Sequence, residues 1–267
     1  MDKVAMMKAK IVGKLLIVGL ACFSQLGAHA EERAARQYAA LSLVGDSITV
    51  VFETMVTGSH LGRNGQQKID IANTSLDVAA LSAADSVISK LQPGAKTQML
   101  ISNDAGLYRM QGALFSDTSD AGIVLDGLKL ALKNTPSVTH LVLVTKHRGD
   151  ARLKLRDVVL GSGKLEGLGF YIDDRAGVRH IDTGDTGVGL IAPYAYMTVR
   201  LIDTRNWAVI REKSLDSSAI FSNTGNVAEG VNTWGALTAE QKATALKALI
   251  KETVQKTAED ILADKPA

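Results

Sequence analysis

The stretch that decides the fold is His140-Leu141-Val142-Leu143-Val144-Thr145. Four consecutive aliphatic residues leave neither face of an extended strand polar, so a strand here has to be covered on both faces. Sheets covered in that way are built from strands that alternate with helices. The flanks supply those helices. Ile123, Val124, Leu128, Ala131 and Leu132 recur at helical spacing and predict a helix ending near Asn134-Thr135-Pro136. Further upstream Leu76, Ala79, Ala80, Ala83, Ala84, Val87, Ile88 and Leu91 repeat the pattern behind Ser75 as cap, and Pro93-Gly94 stops it. Residues 97–101, between the two helices, read as a short buried strand. Residues 41–56, β-branched and apolar around Gly45, read as a strand or bent strand, and 66–71 as its return across the turn-rich 58–65.

Downstream the pattern changes. Residues 153–160, 167–172, 194–203 and 207–214 are strand-like pieces joined by polar turns, Asp203-Thr204-Arg205-Asn206 being the clearest, and they predict antiparallel hairpins. A last amphipathic helix over 238–263 carries Ala243, Leu246, Ile250, Val254 and Ile261, with Thr238 as cap and Glu240 and Gln241 in its first turn. The predicted class is α/β: one domain over 31–267, a mixed sheet whose first half runs β-β-α-β-α-β, hairpins in the second half and a C-terminal helix.

The N-terminus reads differently. Lys3, Lys8, Lys10 and Lys14 precede the apolar run Leu15–Phe23, and Ala28-His29-Ala30 offers small residues to a signal peptidase, so 1–30 reads as a cleavable signal peptide with the mature chain starting at Glu31. The apolar run is far shorter than the ~20 residues a membrane-spanning helix requires, so no transmembrane anchor is expected in the mature chain. Lipidation at Cys22 is the rival, but Gly19 stands where a lipobox carries a branched apolar residue. The expected location is the periplasm or beyond. Cys22 is the chain's one cysteine, so the mature protein has neither disulfides nor thiolate chemistry. The whole-chain net charge of +2 falls to about −1 once the four lysines and Asp2 of the signal are gone, which removes any argument for nucleic acid.

Leu43-Val44-Gly45-Asp46-Ser47-Ile48-Thr49 resembles the first block of the GDSL, or SGNH, esterases. The resemblance implies Ser47 as nucleophile, and Ile101-Ser102-Asn103-Asp104 would place Asn103 in the oxyanion hole. Two features depart from that family. The β-branched run after Ser47 favours a strand where the family has a helix. His60, His140, His147 and His180 all lack the aspartate three residues earlier that the family's base requires, so the serine has no evident base.

Gly161-Ser162-Gly163-Lys164 lacks the first glycine and the final hydroxyl of a phosphate-binding loop and reads as a hairpin turn. Asp173, Asp174, His180, Asp182 and Asp185 match no metal-binding spacing and read as a solvated loop. Lys146, His147, Arg148, Arg152, Lys154 and Arg156 form a basic stretch, the last three on one face of a strand, that would suit an anionic partner. No catalytic, cofactor or metal residues are expected. The two-strand pattern Tyr196–Arg205 with Trp207–Ile210 is similar to envelope assembly domains of the curli-assembly and TolB N-terminal type, and 163–171 resembles uncharacterised exported proteobacterial proteins. These resemblances imply a non-catalytic binding or assembly module of the envelope, its partner an envelope protein or an anionic ligand, with an esterase using Ser47 as the alternative.

Intact-mass measurement of protein recovered from the periplasm of a bacterial host is expected to give a chain starting at Glu31. A Cys22→Ser variant is expected to yield the same mature mass; its failure to mature would instead establish lipidation.

Overall fold

Leu141, Val142, Leu143 and Val144 are all fully buried in a strand, β5 (His140–Lys146), whose side chains alternate between two hydrophobic clusters. The computed structural model describes residues 36–54, 64–113, 120–133, 135, 137–155, 158–179, 184, 186–222 and 232–263. Residues 1–30, read above as a signal peptide, and with them Cys22, lie outside the described residues, and Gln37–Ala267 forms one compact unit.

The unit opens with β1 (Gln37–Ser42), β2 (Ser47–Phe52) and β3 (Gly65–Asp70), followed by α1 (Ser75–Leu91) and β4 (Lys96–Ile101). Next come the short α2 (Ala105–Met110), running into a 3-10 turn, α3 (Asp120–Leu132) and β5. The short strands β6 (Arg148–Asp150), β7 (Leu153–Leu155) and β8 (Val158–Leu160) precede two long ones, β9 (Lys164–Arg179) and β10 (Thr186–Asp203). The chain closes with β11 (Ala208–Ser218), β12 (Phe221–Ser222) and α4 (Ala239–Leu262). Among the described residues ten of these strands join one mixed sheet, while β7 and β8 pair only with each other.

The pairing register shows how the sheet is laid out. Strand β10 takes β11 along residues 194–203 on one edge. On its other edge it takes β9 along 186–196 and then β5 along 197–203, so β5 and β9 lie end to end on a single track. β1 runs parallel to β5 and β2 parallel to β9, so β1 and β2 form the next track, bent at Val44-Gly45-Asp46. β4 and β3 complete it, parallel to β1 and antiparallel to β2 respectively. The result is two half-sheets hinged along a line through Gly45-Asp46 and His147 and spanned by β10. His147 holds the second track together, since its N–H donates to Tyr196 and its carbonyl accepts from Gly167.

One face of both halves is covered by α1 and α4, through Leu81, Val87 and Ile88 on the first and Leu246, Ile250 and Val254 on the second. The opposite face is divided. Leu107 of α2 and Leu128 and Leu132 of α3 cover the first half-sheet, whereas Ala151, Leu153 and Leu160 of the β6–β8 excursion cover the second.

The bend is fixed by a buried carboxylate. Asp77, in the first turn of α1, accepts through Oδ1 from Ser42 Oγ at 2.6 Å and from the N–H groups of Val44 and Gly45 at 3.1 Å. Its Oδ2 accepts from the Tyr108 hydroxyl at 2.7 Å, and burial, reinforced by this bond, raises the Tyr108 hydroxyl well above its ordinary value. Gly45 is required by contact: a Cβ there would stand 2.3 Å from Asp77 Oδ2. Gln111 ties the two tracks together, donating to Leu43 O at 2.7 Å and accepting from Lys146 N–H at 2.8 Å.

The predicted class and most elements agree with this architecture, and the capping box of Thr238 with Gln241 starts α4 as the sequence indicates. Five expectations change. Ser75 is the first helical residue, with Thr74 at the cap position. Strand β4 is a largely exposed edge, not buried. The expected single strand over 153–160 is the β7–β8 hairpin. Gly161-Ser162-Gly163 is a turn, with positive φ at both glycines, but the strands it joins do not pair with each other. Ala243 faces solvent.

An Asp77→Ala variant leaves the Ser42 hydroxyl and the Val44 and Gly45 N–H groups without their acceptor, while Tyr108 keeps Ser102 O at 3.3 Å. At about 1–3 kcal/mol for each buried polar group left unpaired, it is expected to lose roughly 3 kcal/mol or more, read as a lower denaturant midpoint at unchanged slope. Gly45→Ala is expected to act in the same direction.

Candidate functional site

The hinge line opens into a polar cleft of about 460 Å³ on the divided face, lined by Ser47 and Thr49 of β2, Lys68 of β3, Lys146 of β5, Arg148 of β6, Lys164 and Glu166 of β9, and Tyr194 of β10. Strand alternation presents Ser47, Thr49 and Val51 on one side of β2, and the β2–β3 pairing sets Lys68 directly opposite Thr49. Pairing of β6 with β9 likewise sets Arg148 opposite Glu166 and Asp150 opposite Lys164. Four cations from four strands thus converge on one concavity.

Their environments differ. Lys146 is held deep, with its side chain 15% exposed, and its ammonium donates to an Asp46 carboxylate oxygen and, at 2.9 Å, to Ser47 Oγ. Lys68 and Lys164 are more than half exposed. Lys68 stands 3.7 Å from the other Asp46 oxygen. Lys164 pairs with Asp150, and its hydrogen bond lowers that carboxyl below its ordinary value. Arg148 is exposed and forms no ion pair among the described residues. An ammonium has three donors; Asp46 and Ser47 take two from Lys146, and the Ser47 hydroxyl hydrogen has no acceptor among the described residues. The arrangement can donate several hydrogen bonds and positive charge to an oxygen-rich anion.

The cleft wall is closely packed. Tyr194 donates to Thr49 O at 3.1 Å, and burial raises its hydroxyl above its ordinary value. A Cβ at Gly169 would fall 1.8 Å from Thr49 O, so only glycine lets β9 approach β2 there.

The sequence candidates are distributed around this site. Ser47 lies in β2, 2% exposed, where the esterase pattern would begin a helix. Asn103 is exposed ahead of α2 and makes no hydrogen bond to Ser47. His140 contacts Thr139 and the Tyr38 ring, and His147 lies 3.7 Å from Asp216; His60 and His180 lie outside the described residues. Lys146 and Arg148 of the basic stretch enter the cleft. Arg152 and Lys154 are exposed on the β7–β8 hairpin, on one face as alternation requires, and Arg156 lies outside the described residues. Ser162 is structural: its N–H donates to the Tyr171 hydroxyl, its hydroxyl to Glu53, and its carbonyl accepts from Asn64. Asp173 accepts from the N–H groups of Arg175 and Ala176 and Asp174 is exposed, while His180, Asp182 and Asp185 lie outside the described residues. Among the described residues no three histidine, cysteine or carboxylate side chains cluster as metal ligands do, and no helix is long and apolar enough to cross a membrane. Lys68 was missed by sequence reading, because nothing in its local string marks it; only the β2–β3 register brings it to the cleft.

Neither a family model nor a curated protein matches the chain. Solved structures to which the chain is similar include a neuraminyllactose-binding hemagglutinin homologue from Helicobacter pylori, 6% identical over 84% of this chain and 79% of that one, with a TM-score of 0.33. A PelC dodecamer from Paraburkholderia phytofirmans is 11% identical over 86% and 92%, with a TM-score of 0.26. A hypothetical protein from Chlamydia trachomatis is 14% identical over 86% and 100%, with a TM-score of 0.31.

Beside the cleft, Glu53 carries a raised pKa, caused first by burial and then by a hydrogen bond with the Asp173 carboxyl. A carboxyl whose folded value exceeds its unfolded one binds more protons when folded, so its contribution to stability is present at low pH and lost as pH rises from about 4.5 through the raised value. Denaturation between pH 4 and 7 is expected to show this decline, and Glu53→Gln to flatten it.

Proposed function

We propose that the chain is an exported, non-catalytic binding module of the bacterial envelope that takes an anionic group in the cleft at the hinge of its sheet. The observation that carries this reading is the convergence of Lys68, Lys146, Arg148 and Lys164 on one wall-bound concavity that also presents the Ser47 hydroxyl. Charge-assisted hydrogen bonds from lysine and arginine to oxyanions are stronger than neutral ones, and a donor held in place before binding loses little freedom on binding. Lys146 meets that condition through Asp46 and Ser47.

The alternative, an esterase using Ser47 with Asn103 in the oxyanion hole, draws on the Gly45-Asp46-Ser47 string. The surroundings of those residues favour binding. Gly45 accommodates Asp77, Asp46 anchors Lys146, and the Ser47 hydroxyl accepts from Lys146, with no histidine of the described residues hydrogen-bonded to it to take the serine proton.

Titration calorimetry with inorganic pyrophosphate as probe is expected to show binding that weakens with salt and falls at least tenfold in an Arg148→Glu/Lys164→Glu double variant that retains its unfolding midpoint. Absence of binding to the unaltered protein would overturn the cleft as an anion site. A fluorophosphonate probe is expected to leave the protein unlabelled; labelling that disappears in Ser47→Ala would establish the esterase.

A further inference from the structure

The sheet ends on β3, β4 and β11, and these edges are not guarded alike. β11 carries Arg211, Glu212, Lys213 and Asp216, and β3 carries Lys68 and Asp70, charges that make a strand edge a poor template for another strand. β4 lies at the far end of the path, beyond β1, its one partner among the described residues. After Lys96 its run Thr97-Gln98-Met99-Leu100-Ile101 holds no charge, no proline and no glycine. The backbone N–H and C=O groups that β4 turns away from β1 therefore face outward with none of the usual protection.

The side chains of this edge say what fits it. The register with β1 sets Met99 opposite Ala40 and Ile101 opposite Ser42, so both point to the face that α1 covers. They are 52% and 49% exposed all the same, so the cover stops short of them. Charge is divided between the two ends of the strand: Lys96 opens it and Asp104 follows it, both exposed and neither in an ion pair among the described residues. Asp104 uses one carboxylate oxygen to cap α2, accepting from Gly106 N–H at 2.7 Å. A strand with a positive start and a negative end is complementary to itself when run antiparallel, whereas like charges placed opposite each other repel. A two-fold axis perpendicular to the sheet keeps the same face up in both copies, so side chains opposite each other share a face. With Leu100 on that axis, Met99 of each copy lies opposite Ile101 of the other, and each Lys96 is brought toward the other copy's Asp104.

We propose that β4 is a self-association edge, along which two copies of the chain pair antiparallel over Thr97–Ile101 with Leu100 at the two-fold axis, continuing the mixed sheet from one copy into the other. Met99 and Ile101 of both copies then close into one apolar cluster on the α1 face. β4 contributes no residue to the cleft, so this association and the anion site stand or fall independently. One strand pair is a small interface, which makes the dimer weak and concentration-dependent.

The test is analytical ultracentrifugation of protein beginning at Glu31, which retains the whole Gln37–Ala267 unit and, without Cys22, holds no cysteine. A monomer–dimer equilibrium is expected, weakened at least tenfold in Met99→Lys/Ile101→Lys, with the unfolding midpoint of dilute protein unchanged. In a second measurement, Leu100→Cys is expected to give a disulfide-linked dimer on mild oxidation, because residues opposite one another on antiparallel strands have Cα atoms about 4.5–5.5 Å apart, within reach of a disulfide. Gln67→Cys, on the β3 edge, is expected to stay monomeric under the same oxidation. Monomer at every soluble concentration, a dimer unaffected by the lysine variant, or a cross-link that forms as readily at Gln67 as at Leu100 would each overturn the proposal. A series of species larger than the dimer would also overturn it, since a two-fold pair of identical edges closes at two copies.

Discussion

The carboxylate of Asp77 is the constraint on which the architecture depends. It is 1% exposed and has no cationic partner among the described residues, so its burial is supported by hydrogen bonds alone: two hydroxyls and two backbone N–H groups. A buried carboxylate is tolerated when donors surround it. These donors come from places the chain would otherwise leave loose. Val44 and Gly45 lie where β1 has ended and β2 has not begun, and their N–H groups would have no ladder partner. Asp77 supplies one acceptor for both, from the first turn of a helix whose own N-terminus favours negative charge. Helix position and strand bend are therefore set by the same atoms.

From that bend follows the division of the sheet, and from the division follows the cleft. A continuous flat sheet would have its divided face covered end to end. Here α2 and α3 cover the first half and the β6–β8 excursion the second, and the two covers leave the hinge line bare. Polar side chains gather there because the backbone changes direction: Asp46 in the bend, Lys146 at the end of β5 and Arg148 just beyond it lie where strand alternation no longer requires apolar residues. Gln111 seals the inner end by satisfying backbone groups on both tracks.

What the sequence revealed and concealed follows from the range of each interaction. The Leu141–Val144 run, the α1 periodicity and the Thr238 box are local patterns, and each names its element because burial period and capping chemistry act within a few residues. Gly45-Asp46-Ser47 was legible as an unusual string, but its meaning rests on Asp77 and Lys146, some 30 and 100 residues distant. The cleft is less local still, since Lys68 and Lys164 become neighbours of Lys146 only through strand pairing. Strand β4 was misjudged because Met99 and Ile101 are apolar yet exposed, at 52% and 49%; composition cannot tell an edge from a centre. The end-to-end placement of β5 and β9 is a property of the 18-residue β10, and no pattern within β5 or β9 announces it.

The two depths of cation in the cleft bear on how an anion would be recognised. Lys68, Lys164 and Arg148 stand in solvent, where their fields act over roughly a Debye length and weaken with salt, so they serve approach more than selection. Lys146 is held by Asp46 and Ser47 before anything arrives, and most of its surface is removed from water. An anion that reaches it exchanges hydration for a donor already in position, an exchange that depends on the shape of the oxygens presented. Asp46, Asp150 and Glu166 set the limit on that exchange: with three carboxylates among four cations, a bare charge gains little by entering, and a ligand must also match the hydroxyl and ammonium of the inner wall. The site is thereby better suited to discriminating among anions than to concentrating them.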